Sequence, residues 1–208
     1  MDESYLNVRE GYVDDCSITG MQYHSFLSYS STAMSCNDEI KISIQNMDAY
    51  TLPCESYIFI EGKVIKPSTP GLLRSVNFSN NGLAFLFSEI RYEVNGTEIQ
   101  KLKTPGIASC LKSYCSYSHR DLYELQNASW DIDMDVNHNK EFMPGDKFSA
   151  CLPLKCLFGF CEDYKKILLN CNQQLILNRA STDHDALRVT GGGTNTNTNL
   201  KKLSVELS

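Results

Sequence analysis

The stretch LAFLFSEIRYEVNGTEIQK, residues 83 to 101, constrains the fold of this chain more than any other segment. An apolar run from Leu83 to Phe87 leads into alternation at Ile90, Tyr92 and Val94. Asn95-Gly96 follows, and then the polar-apolar stretch Thr97-Glu98-Ile99-Gln100. An Asn-Gly pair between alternating residues predicts a two-residue hairpin, because a type I′ turn needs positive φ at both central positions. In that register Val94 faces Thr97 and Tyr92 faces Ile99, which puts the apolar pair on one face. The hairpin is scaffold with no catalytic character, and it points to antiparallel β structure.

Composition sets the outer limits. A chain of 208 residues with 42% hydrophobic content can bury one substantial core. A net charge of -6, with no Lys/Arg run longer than two, argues against direct nucleic-acid readout, which calls for a basic surplus. The start, Met1-Asp2-Glu3-Ser4-Tyr5, is acidic where a signal peptide has a basic region, and no stretch approaches the roughly 18 apolar residues of a membrane span. The expectation is an intracellular protein that is not secreted and has no membrane span. The Asn-x-Ser/Thr matches at Asn77, Asn95 and Asn127 are then chance.

Residues 1 to 35 are polar and Ser/Tyr-rich, and read as a flexible N-terminal arm. Its aromatics dock on a neighbour, or it is simply a disordered leader. From Asp38 onward, Ile40, Ile42 and Ile44 alternate as a half-buried strand, and Ser56 to Val64 is a second strand that Gly62 is placed to bend or bulge. Ser75 to Phe78 is a third, and Asn80-Asn81-Gly82 turns the chain into the hairpin. Thr104-Pro105-Gly106 reads as a helix start with Thr104 as N-cap, followed by Ile107, Cys110, Leu111 and Tyr114 at helical spacing. A short helical turn is expected at residues 121 to 125, and Ile132, Met134 and Val136 alternate like a strand. Lys147 to Leu152 is a strand ended by Pro153, Cys156 to Cys161 a compact turn or short helix, Ile167 to Leu169 a short strand and Gln174 to Arg179 a firm one. After a Gly/Thr/Asn linker at 191 to 199, Lys201 to Leu207 alternates like a last strand. About eight to ten short strands with helices confined to connections predict an all-β fold, an eight-stranded antiparallel jelly roll or β-sandwich. The domain expected is 36–208, a single jelly roll.

Chemistry is sparse. Cys151, Cys156 and Cys161 are spaced by four residues rather than as CxxC knuckles, and the residues between them are core-like, so they read as buried thiols rather than zinc ligands. An odd count of nine cysteines disfavours a disulfide framework. Asp131, Asp133 and Asp135 share a strand face, but Val136 and Phe142 occupy the positions where an EF-hand loop needs Gly and Glu, so a solvated face is favoured. His24, His119, His138 and His184 are scattered, and no GxSxG, P-loop, GxGxxG or HExxH motif occurs. Gly191-Gly192-Gly193 reads as a surface loop rather than a phosphate cradle. No catalytic, cofactor-binding or metal residue is assigned, and the chain is not expected to be an enzyme.

Two segments together carry a family resemblance. One is Phe85 to Ile99 with Thr104-Pro105-Gly106-Ile107 and Leu111-Lys112-Ser113-Tyr114. The other is Cys151 to Lys155 with Leu157-Phe158-Gly159-Phe160-Cys161-Glu162-Asp163-Tyr164-Lys165, and Ser56 to Gly62 adds to them. These residues resemble the N-terminal half of double-jelly-roll major capsid proteins, of the kind carried by Polinton/Maverick and adintovirus elements of animal genomes and often met as insect proteins. The resemblance spans roughly residues 38 to 208.

That resemblance implies a structural subunit of an icosahedral virus-like capsid, located in a virion. Its partners would be its own copies, in a trimeric capsomer, and other capsid proteins. The chain would be the first of two jelly rolls, or a truncated or domesticated relic. The N-terminal leader and the helix at 105 to 115 are the candidate contact elements. An alternative is a lectin-like or ligand-binding β-sandwich module, for which the single Trp130 is a poor supply of stacking surface. A cupin-like metalloenzyme would need converging His and Glu ligands.

Overall fold

In the computed structural model, which describes residues 20–29, 34–45, 50–66, 75–130, 142–190 and 203–207, the strands pair as one long antiparallel ribbon folded over on itself. The strands are β1 (Glu39–Ile44), β2 (Tyr57–Ile65), β3 (Ser75–Phe78), β4 (Phe87–Val94), β5 (Thr97–Lys103), β6 (Lys147–Pro153), β7 (Gln173–Arg179), β8 (Leu187–Thr190) and β9 (Ser204–Leu207). Pairing is nested: β4 with β5, β2 with β6, β1 with β7, and outermost a bridge between Met34 and Leu207. Folding the ribbon over sets β4 beside β7 and β2 beside β9, so the sheets run β1-β7-β4-β5 and β6-β2-β9, with β3 and β8 as a separate pair. This nesting is a jelly roll.

Two-residue periodicity explains the core. Ile58, Ile60 and Val64 of β2, Ile90, Tyr92 and Val94 of β4, Ala150 and Leu152 of β6, Leu175 and Leu177 of β7, and Val205 and Leu207 of β9 are all buried in one cluster. Helix α1 (Gly82–Phe85), α2 (Pro105–Ser116), α3 (His119–Glu124) and the one-turn helices Leu154–Leu157 and Gly159–Asp163 occupy connections.

The hairpin forms with Asn95 at φ 51° and Gly96 at φ 77°, the two positive values a type I′ turn requires. Its expected register holds only at the tip. Val94 is opposite Thr97 and Glu93 opposite Glu98, but a bulge then shifts Tyr92 onto Gln100 rather than Ile99. The reason lies in the sequence of β5. With Ile99 taken up as the extra residue, Leu102 falls opposite Ile90 on the core face while Lys101 and Lys103 face solvent; without it both lysines would point inward.

Other expectations change in the same way. The run from Leu83 to Phe87 is not extended throughout: its first part is the helical turn α1, entered through Asn81 at φ 56°, and Leu83, Ala84 and Leu86 are wholly buried. Gly62 makes no bulge, because the register with β6 and β9 runs through it unbroken. It is glycine because a Cβ there would lie 2.6 Å from the Glu206 carbonyl oxygen and 2.7 Å from the Phe148 ring. Residues 167 to 169 contribute only a bridge between Leu168 and Thr51. Strand β8 was not expected from sequence. The alternation at Ile132 to Val136, the aspartates Asp131, Asp133 and Asp135, and the linker at 191 to 199 lie outside the described residues.

One buried ion pair ties the two sheets together. Arg179 ends β7, and its Nη2 donates to Asp183 Oδ1 at 2.9 Å and to the Val205 carbonyl at 3.2 Å. Its Nη1 donates to the Leu86 carbonyl at 3.1 Å, while the Val205 N–H donates to Asp183 Oδ2 at 2.8 Å. Both main-chain groups of Val205 are therefore bound by side chains of the opposite sheet's terminus. Both charged side chains are essentially inaccessible.

Removing one member of such a pair leaves an uncompensated buried charge. Asp183→Asn is expected to lower the unfolding free energy by about 3–5 kcal/mol, read as a lower denaturant midpoint at unchanged slope. Arg179→Met combined with Asp183→Leu should cost less than the two single changes summed; single variants within 1 kcal/mol of the parent would contradict the clamp. Gly62→Ala should cost about 1–3 kcal/mol in the same assay, because β9 or Phe148 must shift to admit the methyl group.

Candidate functional site

Helix α2 is built inside out. Its inner face, against α1 and β4, carries Pro105, Gly106, Ser109 and Ser113, all buried. The approach is so close that a Cβ on Gly106 would lie 2.4 Å from the Phe85 ring. Small residues permit that approach, and their hydroxyls are satisfied locally. Ser109 Oγ donates to the Pro105 carbonyl and Ser113 Oγ to the Ser109 carbonyl, each at 2.6 Å. Asn81 Nδ2 donates to Ser109 Oγ from the turn before α1.

The inner face thus needs no large apolar side chains, and the outer face has them. Ile107, Leu111 and Tyr114 stand at i, i+4 and i+7 on the opposite side and are 54%, 63% and 68% exposed. An apolar stripe at that spacing ordinarily faces a core. Leaving such side chains in water forgoes about 1.5–3 kcal/mol each, a large sacrifice for a fold of ordinary stability unless something covers them. Tyr114 is held in place: its hydroxyl accepts from Asn80 Nδ2 at 3.0 Å, and its ring lies 5.6 Å from that of Trp130. Lys112 pins the helix to the neighbouring turn, bonding Glu162 at 2.6 Å and the Lys155 carbonyl at 2.7 Å. Thr104 occupies the N-cap position with Pro105 at the first helical position, but its Oγ1 donates to the Lys103 carbonyl instead of capping.

A second apolar surface, missed in the sequence reading, lies on the outer face of β2. Tyr57 and Phe59 point away from the core, with Cys151 and Pro153 beside them across the β6 register and the ring of Tyr23 at 5.6 Å from Tyr57. The signal was present: Tyr57 to Ile60 is apolar on both phases of the strand, which marks a strand with two covered faces. Tyr23 belongs to the N-terminal leader. Residues 20–29 form no regular element, with Met21, Tyr23, Leu27 and Tyr29 exposed, and the Tyr29 N–H donates to the Lys41 carbonyl at the outer edge of β1.

The outer face of the other sheet is different in kind. Arg91 sits among Glu39 at 3.2 Å and Glu89 at 3.4 Å, with Lys101–Glu89 at 3.0 Å and Lys41–Glu39 at 2.7 Å. Such pairs contribute little at a wet surface and cost more when desolvated, so this face belongs in water.

Among the described residues the remaining candidates assemble no metal cluster. The described cysteines are free thiols; Cys156 and Cys161 are buried and Cys151 half-buried. Burial pushes the Cys161 thiol up to about 12 and raises Cys156 as well, which opposes the thiolate that both zinc and nucleophilic catalysis require. Among the described residues no group of three or more His, Cys, Asp or Glu could hold a metal ion, and no helix is long and apolar enough to cross a membrane.

The profile of the double jelly roll-like domain family matches residues 76–207, and the chain belongs to that family. Among solved structures it is similar to the crystal structure of PBCV-1 VP54 fitted into a reconstruction of the virophage Sputnik, with a TM-score of 0.35 at 10% identity, covering 90% of this chain and 42% of that one. A quasi-atomic structure of the PBCV-1 virus capsid is also similar, with a TM-score of 0.33 at 14% identity and the same 90% and 42% coverage. The chain therefore spans less than half the length of these two chains. No curated protein matches the sequence.

Thiol reactivity checks the cysteine assignment. At pH 8, Cys115, exposed on α2, should react promptly with an aromatic disulfide reagent, while Cys156 and Cys161 should react only after denaturation. Rapid native labelling of Cys161 would contradict its burial.

Proposed function

We propose that this protein is a structural subunit of a virus-like capsid, of the kind carried by Polinton/Maverick and adintovirus elements. In this reading residues 36–208 form the first of two jelly rolls in a longer protein, or in a relic of one. It acts by association and not by catalysis. Membership of the double jelly roll-like family supports the reading, and one observation carries it to this chain: the outward apolar stripe Ile107, Leu111 and Tyr114 on a helix whose inner face is made of small residues. A fold that spends its longest described helix on an exposed apolar face is built to be covered by another subunit.

Its partners are copies of itself, in the trimeric capsomer of the capsid family, and its working location is the virion. Many weak contacts suffice in a closed shell, because symmetric contacts act together. The wet charged face of β1-β7-β4-β5 then stays in solvent between contacts.

Light scattering after size exclusion tests this directly. The protein at tens of micromolar is expected to run as an oligomer that dissociates on dilution, and Leu111→Asp should leave a folded monomer. A parent protein that stays monomeric at every concentration would refute the reading.

A further inference from the structure

We infer that the seat of β9 is a docking slot for an extended strand, and that residues 203–207 of a second copy fill it by strand exchange. This goes beyond the subunit reading and makes no use of the α2 stripe. On one side β9 is held by β2, with Ser204 opposite Ile65, Val205 opposite Val64 and Glu206 opposite Lys63. On its other side no strand runs among the described residues. Met34 bridges Leu207 there, and two residues earlier the Arg179–Asp183 pair takes Val205.

The ion pair stands in for a strand. A strand residue offers its neighbour one N–H and one C=O, and a partner residue answers with one acceptor and one donor. Asp183 Oδ2 supplies the acceptor at 2.8 Å and Arg179 Nη2 the donor at 3.2 Å. Main-chain groups are common to all residues, so this contact recognises a strand as such, whatever its side chains. Selectivity comes from the period of two: Leu203, Val205 and Leu207 are buried, while Glu206 is exposed. The slot takes an extended segment that is apolar at every second residue.

The covalent connection does not dictate which copy supplies that segment. Strand β9 is four residues long and does not pair with β8, the strand before it. Residues 191 to 202 lie between them and, fully extended, reach about 40 Å, roughly the width of a domain of this size. The segment that fits the slot is the one already in it, so the partner is the same stretch of another copy, bound through the same contacts. Exchange needs no new contact, only the opening of the clamp.

Crosslinking across the exchanged ladder tests it. Lys63 and Glu206 are exposed and face one another, within reach of a disulfide. One population carries Lys63→Cys, and a second, tagged population carries Glu206→Cys. Both carry Leu111→Asp to remove the α2 contact. They are unfolded together, refolded at high concentration and oxidised with glutathione disulfide. A chain with both substitutions should form the bond within itself, which controls for geometry and folding. Peptide mass spectrometry should find the disulfide between positions 63 and 206 linking the two populations, and light scattering a dimer that persists on dilution. With Asp183→Asn in both, the interchain bond should form roughly tenfold faster or more when folded populations are mixed.

If joint refolding gives only monomer and no interchain bond while the control chain crosslinks, strand exchange is wrong. An exchange rate that Asp183→Asn leaves unchanged would overturn the slot. Neither result touches the subunit reading, since the α2 contact is absent from every sample.

Discussion

The Arg179–Asp183 pair is the constraint on which the rest of the structure depends. A jelly roll is a ribbon rolled up, and its outermost turn has the least to hold it. Here β9 pairs with β2 on one side, and a side-chain clamp from the end of β7 takes both main-chain groups of Val205. The same guanidinium reaches the Leu86 carbonyl, just ahead of β4. One buried charge thus gathers the start of β4, the end of β7 and the middle of β9. Hydrophobic residues of similar volume would fill the site, but they would not dictate which strand residue sits there. The ionic solution fixes which residue of β9 sits there, since both main-chain groups of Val205 are taken by the pair.

With the roll closed, the helix between β5 and β6 has no core to fill. Phe85 already fills the space beneath it, which is why the residues of α2 that touch α1 are glycine and serine. The apolar residues that keep α2 helical in sequence terms are then free to face outward. In the proposed reading, the contact surface takes the form of an apparent defect in amphipathicity. The wet, charge-laced face of the four-stranded sheet shows that the chain can solvate a surface where none is to be covered.

Much of this was legible in the residues. Asn95-Gly96 located the hairpin because few other pairs adopt two positive φ values, and alternation at Ile40, Ile42 and Ile44 assigned a half-buried strand. Register was less legible. The Ile99 bulge follows from where Lys101 and Lys103 must point, which depends on which face of the hairpin the rest of the core covers. Helical spacing announced α2 but not its orientation, since periodicity tells which residues share a face and not whether that face looks in or out. That information sat in the small residues Gly106, Ser109 and Ser113, which read as helix-weakening on their own. The aromatic face of β2 was visible only as a strand apolar on both phases, and β8 left almost no local mark.

The central claim is that the exposed outer face of α2 is a contact surface between copies. Hydrogen–deuterium exchange of the parent protein across a hundredfold range of concentration tests it most directly. Protection should rise with concentration over residues 105–116 while the amides of β4 and β7 stay unchanged. Exchange that is independent of concentration throughout the chain would contradict it.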